Sequence, residues 1–194
     1  REKWSGKVSF LTKWLYRLAY LVAFRPILDK LGFLNTKVIC VGAAPVAPEV
    51  PALFQMWGLN MVEVYGSTEC APMCTQREEF PRPGNTGTPL PGMEFRIDDQ
   101  AEAMVRKNCF AGYWQKEEAA ASLIEGDWVR TGDAIQLVGG WNVKVYDRIK
   151  DVLLTAGGKT LSPTDIERVY RASPYISDIA IFGDARKYVT ALVE

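Results

Sequence analysis

Lys37-Val38-Ile39-Cys40-Val41-Gly42-Ala43-Ala44-Pro45, followed about twenty residues on by Met61-Val62-Glu63-Val64-Tyr65-Gly66-Ser67-Thr68-Glu69, decides the fold. Each run is rich in β-branched or aromatic residues and stops at a glycine, so each reads as a strand. Between them, residues 48–57 carry a helical pattern that Gly58 ends. Strand, small-residue loop, helix, strand is the grammar of a parallel sheet. In such sheets ligands gather at the carboxyl ends of the strands. The loops 42–45 and 66–69 lie at that edge, and the strand 37–41 is expected to be buried.

Upstream, Phe10, Trp14, Leu18 and Leu21 recur at helical spacing over residues 9–24, with Lys13 and Arg17 one turn apart on another side. Two readings stay open. One is a helix that packs its apolar face into a core. The other is a helix lying on an anionic membrane surface with Trp14 and Tyr16 near the headgroups. Residues 1–37 hold eight basic residues against two acidic ones, which favours an anionic neighbour. A separate short helix is expected from Pro26 to Leu31, with Pro26 in its first turn.

Residues 79–92 are rich in proline and glycine, and short strands are expected after them at 94–97, 103–106, 129–130, 135–138 and 142–146. Gly139-Gly140 marks a hairpin, and 116–123 is a helical stretch within this β-rich part. From Asp147 the grammar changes. A strand at 152–155 and the turn Gly157-Gly158 lead to Ser162-Pro163-Thr164-Asp165, which opens a helix with Ser162 as its N-cap. Further strands are expected at 178–182 and 188–193. The fold class is therefore α/β with mixed α+β character.

Composition limits the function. The 194 residues carry 23 basic and 23 acidic side chains, so no global field points to nucleic acid. There is no histidine, which excludes a Ser-His-Asp triad, a Cys-His dyad and a histidine-ligated metal within this chain. Cys40, Cys70, Cys74 and Cys109 form no Cys-x-x-Cys pair and read as reduced thiols of a cytosolic protein. The apolar run Leu18–Phe24 is too short to span a bilayer. The chain begins with Arg1, which suggests a piece of a longer protein.

Three segments carry the chemistry. In Tyr65-Gly66-Ser67-Thr68-Glu69, an aromatic can stack a base, a hydroxyl can bond a phosphate oxygen and a carboxylate can hold Mg²⁺. The same residues also suit a loop in which Thr68 or Glu69 caps the next segment. In Gly126–Asp133, a carboxylate after Thr131-Gly132 can accept both hydroxyls of a ribose, though a plain hairpin turn fits as well. Asp147-Arg148-Ile149-Lys150-Asp151, followed by Gly157-Gly158-Lys159, suits an exposed connection between domains.

In this order and spacing the three segments resemble the adenylate-forming superfamily of acyl-CoA synthetases, peptide-synthetase adenylation domains and beetle luciferases. Tyr65–Glu69 matches its aromatic-Gly-x-Thr-Glu motif, Thr131-Gly132-Asp133 its Thr-Gly-Asp motif, and Asp147–Lys150 with Gly157 its hinge and glycine loop. Gly42-Ala43-Ala44-Pro45 is similar to its Gly-Gly-Ala-Pro loop. Gly87 to Gly92 and Gly112-Tyr113-Trp114 are similar to its connecting segments. The ending, from Ser173-Pro174-Tyr175-Ile176 to Ala191-Leu192, looks like long-chain fatty acyl-CoA synthetases.

The resemblance implies the following expectations. Residues 1–148 would be the C-terminal portion of a large AMP-binding domain, with a β-rich subdomain at about 86–148. Residues 149–194 would begin a mobile lid. A fatty acid would be joined to ATP as acyl-AMP with release of pyrophosphate, then passed to coenzyme A. Tyr65 would stack on adenine, with the backbone of Gly42, Ala43 and Ala44 lining the same pocket and Gly66 allowing close approach. Thr68 would bond the α-phosphate, Glu69 would hold Mg²⁺, Asp133 would accept the ribose hydroxyls and Arg148 would assist. Lys150 falls on the hinge, and Gly157 on the loop that lines the pantetheine tunnel. A fatty acyl-AMP ligase, or a truncated nucleotide-binding relative without turnover, remains an alternative.

The departures from the family pattern are specific. The phosphate loop and upstream aromatic motif would lie before this chain, and the catalytic lysine of the adenylation step after Glu194, so the chain alone is expected not to catalyse the reaction. Ala101-Glu102-Ala103 stands where Gly-Glu-Ile is usual, and Arg106-Lys107 where Arg-Gly is usual. The expected location is cytoplasmic, peripheral on the inner membrane surface through residues 9–24.

Overall fold

A computed structural model describes residues 8–44, 46–171 and 173–194. The basic residues Arg1, Lys3 and Lys7, and Pro45 of the small-residue loop, lie outside the described residues.

The first helix, α1 (Phe10–Ala19), starts where the Ser9 hydroxyl accepts the Thr12 amide. Its chain does not stop before the next helix, as the sequence suggests. A π-helical turn over Tyr20–Phe24 runs straight into α2 (Arg25–Lys30). Pro26 is the reason. In an unbroken α-helix its ring would meet the carbonyl four residues back and its missing N–H would leave that carbonyl unpaired. The wider turn, in which the Arg25 amide reaches Tyr20, absorbs both problems. Leu28 anchors α2 at 3% exposure, while Phe10, Leu11, Trp14, Leu15, Leu18, Leu21 and Val22 all face outward.

Strand β1 (Val38–Val41) pairs in parallel with β2 (Asn60–Ser67), and α3 (Glu49–Met56) makes the crossover. The expected βαβ unit is therefore present, with two corrections. β1 is an edge strand with Val38 and Cys40 exposed, so it is not buried. The rest of the sheet is antiparallel, because β2 does not stop at Gly66 but continues through a bulge and turns back as β3 (Ala71–Thr75), which then pairs with β4 (Thr88–Pro89).

The second sheet holds β5 (Glu94–Ile97), β6 (Glu102–Arg106), β7 (Ile124–Glu125), β8 (Trp128–Val138) and β9 (Asn142–Arg148), with the short α4 (Glu117–Ala121) between β6 and β7. The two strands expected on either side of Thr131-Gly132-Asp133 are one eleven-residue strand. Gly132 sits at φ +72° inside it and the register shifts at Ala134/Ile135, so the motif is a kink within a paired strand and not a hairpin turn. The hairpin at Gly139-Gly140 stands as expected.

The core lies between the sheets. Met73, Cys70 and Cys74 from the β2–β3 hairpin pack with Ala103, Val105, Val129, Ile135 and Val143. Backbone bonds lock the layers edge to edge, as Thr86 N–H donates to Val143 O at 2.8 Å and Val143 N–H to Gly87 O at 2.7 Å. Gly87 is at φ +74°, and a Cβ there would lie 2.1 Å from the Thr75 carbonyl oxygen, so only glycine fits.

After β9 the chain makes a 3₁₀ turn (Ile149–Asp151) and the hairpin β10 (Leu153–Leu154) and β11 (Thr160–Leu161), then α5 (Pro163–Arg171) and the antiparallel pair β12 (Ile179–Phe182) and β13 (Thr190–Val193). Ser162 caps α5 as expected, accepting the Asp165 amide at 3.0 Å. Asp147 is not the solvated linker residue its neighbours suggested. It is 8% exposed and accepts bonds from the Ser162 hydroxyl (2.6 Å), the Thr164 hydroxyl (3.0 Å) and the Thr164 amide (3.3 Å). A carboxylate at a helix N-terminus complements its unpaired amides.

Candidate nucleotide site

Two adjoining cavities open where β1, the β2–β3 hairpin and β8–β9 converge. The larger, about 1150 Å³, is lined by Gly42, Ala43, Gly66, Thr68, Glu69, Arg148 and Lys150. The smaller, about 260 Å³, is lined by Gly42, Ala43, Ala44, Tyr65, Asp133 and Arg148.

Gly66 is required by the hairpin itself. A Cβ there would lie 2.3 Å from the Ala71 carbonyl oxygen. This close approach lets β2 bulge and turn, and it presents Ser67-Thr68-Glu69 at the tip. Ser67 Oγ accepts the Cys70 amide at 3.3 Å and leaves Thr68 on the cavity wall. The Glu69 carboxylate accepts the Tyr113 hydroxyl, and its carbonyl accepts the Phe110 amide at 2.6 Å. The Tyr113 hydrogen bond holds the Glu69 carboxyl below the usual glutamate range, against a smaller opposing effect of burial.

Asp133 closes the other wall. The Tyr65 hydroxyl donates to its Oδ2 at 2.7 Å, and Arg148 Nε lies 3.1 Å from Oδ1. Burial raises the Asp133 carboxyl above its ordinary value, while Tyr65 and Arg148 act to lower it. The Tyr65 hydroxyl is pushed well above the usual phenol range, chiefly by burial and then by the Asp133 charge. Arg148 also donates from Nη1 to the Thr131 carbonyl at 3.2 Å, so one guanidinium spans the kink.

Glu102 shapes that kink from below. It is 2% exposed; its Oε1 accepts the Gly132 amide at 2.9 Å, and its Oε2 accepts from both Nε (3.0 Å) and Nη2 of Arg130. Thr131 Oγ1 donates to Ala103 O at 2.8 Å and accepts the Asp133 amide at 3.2 Å. The sequence reading missed Glu102, Tyr113 and the Asp147 clasp. Each acts through a partner distant in the chain, and the only signal for Tyr113 was its place in Gly112-Tyr113-Trp114.

Ten of the residues singled out in the sequence therefore share these two cavities: Gly42, Ala43, Ala44, Tyr65, Gly66, Thr68, Glu69, Asp133, Arg148 and Lys150. Gly157 does not join them. It lies in the exposed β10–β11 turn, and a Cβ there would meet nothing within 4 Å. Among the described residues no cluster of three His, Cys, Asp or Glu side chains could hold a metal ion. A single anionic carboxylate such as Glu69 still suits Mg²⁺, which binds through one or two carboxylates plus phosphate oxygens and water. Among the described residues no helix is long and apolar enough to cross a membrane.

Residues 18–113 match the AMP-binding enzyme family, and residues 150–194 match the AMP-binding enzyme C-terminal domain. Long-chain-fatty-acid–CoA ligase FadD15 of Mycobacterium bovis is 31% identical over 161 residues, covering 82% of this chain and 27% of its own length. Long-chain-fatty-acid–CoA ligase ACSBG2 of Mus musculus is 30% identical over 187 residues, covering 92% of this chain and 28% of its own length. The chain thus spans under a third of these relatives. Among solved structures, O-succinylbenzoate coenzyme A synthetase (MenE) from Bacillus subtilis, in complex with ATP and magnesium ion, superimposes with a TM-score of 0.71 at 24% identity, covering 87% of this chain and 40% of that one. That likeness concerns the mixed α/β fold. With the motifs, the cavity and these relatives together, the chain belongs to the adenylate-forming, AMP-binding enzyme family, close to the fatty acyl-CoA synthetases.

Proposed function

We propose that this chain is part of an AMP-forming long-chain fatty acid–CoA ligase. Residues 1–148 are the C-terminal portion of its nucleotide domain and 149–194 the start of its lid. A fatty carboxylate attacks the α-phosphate of ATP, pyrophosphate leaves, and the thiol of coenzyme A then takes the acyl group from the mixed anhydride and releases AMP. The observation that carries this reading is the placement of Asp133, Tyr65 and Arg148 opposite Thr68 and Glu69 across one pair of cavities.

The residues divide the nucleotide between them. Asp133, buried and fixed by Tyr65 and Arg148, accepts the ribose hydroxyls. The Tyr65 ring and the Gly42–Ala44 backbone receive the adenine. Thr68 donates its hydroxyl to the α-phosphate. Glu69, kept ionised by Tyr113, is the Mg²⁺ ligand, and the ion offsets phosphate charge when bound. Lys150, in the 3₁₀ turn after β9, is the pivot of the lid.

The same proposal assigns the protein a peripheral position on the cytoplasmic side of a membrane, reached through residues 9–24. The support is the outward apolar row from Phe10 to Val22 beside the exposed Lys13 and Arg17.

The test is ATP–pyrophosphate exchange by the complete protein with a series of saturated fatty acids, followed by acyl transfer to coenzyme A. Exchange that peaks with long chains, and thioester that follows it, supports the reading. Exchange without transfer to coenzyme A makes the protein an acyl-AMP ligase. AMP binding without exchange leaves only a nucleotide-binding relative.

A further inference from the structure

Cys70 and Cys109 stand 39 residues apart in sequence, yet their sulfurs lie 2.7 Å from each other. That is less than about 1 Å beyond the roughly 2.05 Å of a disulfide bond. Neither is bonded to another cysteine, and Cys40 and Cys74 are free as well. We propose that Cys70 and Cys109 form a reversible peroxide-sensitive disulfide that ties the Glu69 hairpin to the 107–113 segment.

The two sulfurs have different roles. Cys70 is fully buried in the core between the sheets, whereas Cys109 is only half-buried. Cys109 is therefore the sulfur that an oxidant reaches first. Cys74 is fully buried as well and lies out of an oxidant's direct reach.

The chemistry balances in two steps. Hydrogen peroxide takes two electrons from the Cys109 sulfur, the O–O bond breaks, and sulfenic acid and one water result. The Cys70 sulfur then attacks the Cys109 sulfur, the S–OH bond breaks, and the Cys70 proton leaves with hydroxide as a second water. A dithiol reductant reverses the bond by exchange.

The position of the pair gives the bond a consequence. Glu69 immediately precedes Cys70, and Phe110 immediately follows Cys109. Two ties already join the segments, from the Phe110 amide to the Glu69 carbonyl and from Tyr113 to the Glu69 carboxylate. A covalent third tie fixes the carboxylate that the ligase reading assigns to Mg²⁺. The disulfide itself does not depend on that reading.

The experiment treats the complete protein with hydrogen peroxide, removes the peroxide, unfolds the protein in guanidinium with iodoacetamide to block remaining thiols, and maps a non-reduced digest by mass spectrometry. The expected product is a Cys70–Cys109 peptide pair, two hydrogen masses lighter than the separate peptides, that disappears on treatment with dithiothreitol. In a Cys109→Ser variant, peroxide is expected to leave Cys70 as a thiol. The proposal is overturned if both sulfurs are still alkylated after peroxide, if Cys109 ends as sulfinic acid beside a free Cys70, or if exposed Cys40 is the only sulfur to change.

Discussion

The Tyr65 hydroxyl and the Asp133 carboxylate, 68 residues apart in sequence, share a 2.7 Å hydrogen bond in the wall of the smaller cavity. Removing either partner leaves a polar group buried, and a hydrogen bond to a charged group in such a place is worth about 1.5–3 kcal/mol. Tyr65→Phe is expected to lower unfolding stability by that amount, measured as a shift in urea midpoint at unchanged slope. The ring remains, so apparent ATP affinity in the complete protein stays close to wild type. Asp133→Ala is expected to lose both stability and ATP affinity. Unchanged ATP affinity in that variant would remove Asp133 from the ribose.

Glu63 is buried in β2, and burial raises its carboxyl above the ordinary value despite a hydrogen bond from the Gly84 amide at 3.0 Å. A raised carboxyl favours the folded state fully below its unfolded value, and that advantage is lost as pH rises through the folded value. Glu63→Gln keeps an oxygen acceptor for Gly84 and removes the charge. Denaturant titrations from acid to neutral pH are expected to show the variant gaining stability relative to wild type as pH rises. A constant difference across that range contradicts the assignment.

Two glycines with positive φ are expected to respond differently. At Gly87 a Cβ would press into the Thr75 backbone, whereas at Gly126 it meets open space. Gly126→Ala costs about 1 kcal/mol through backbone conformation alone. Gly87→Ala adds a backbone clash and is expected to separate β4 from β3, read as a much lower melting temperature. Equal melting temperatures would refute the packing argument.

At Gly157 neither sterics nor φ demands glycine. Gly157→Leu is therefore expected to leave the melting temperature unchanged. In the complete protein it should slow acyl transfer to coenzyme A while pyrophosphate exchange persists. Loss of both activities together would place Gly157 outside the thiol channel.

The apolar row of α1 is tested by cosedimentation with vesicles containing anionic lipid. Lys13→Glu combined with Arg17→Glu is expected to release the complete protein from the pellet. Equal sedimentation of the two forms discards the membrane proposal and leaves the row as a surface for packing within the longer protein.

Local signals in the chain were read well where the structure is local. The Gly139-Gly140 hairpin and the Ser162 cap depend on neighbours within a few residues, and the β1–α3–β2 crossover follows from three consecutive elements whose strand and helix patterns are each local. Thr131-Gly132-Asp133 misled because a Thr-Gly-Asp sequence suits a turn, while pairing of β8 to both β6 and β9 holds it inside a strand. β3 escaped notice because Ala71-Pro72-Met73-Cys74-Thr75 has neither alternation nor β-branched runs, and its burial comes from the opposite sheet. The site was legible as a set of motif residues. Its supports were not, since Tyr113, Glu102 and Asp147 act across 44, 30 and 17 positions.

The Asp147 clasp makes residues 147–164 a closed ring. It binds residues 162 and 164 back to β9, with the 3₁₀ turn 149–151 enclosed between the two ends. On the ligase reading, where 149–151 would be the pivot of a lid, rotation would have to free Asp147 from Ser162 and Thr164, and the carboxylate would behave as the catch on a hinge.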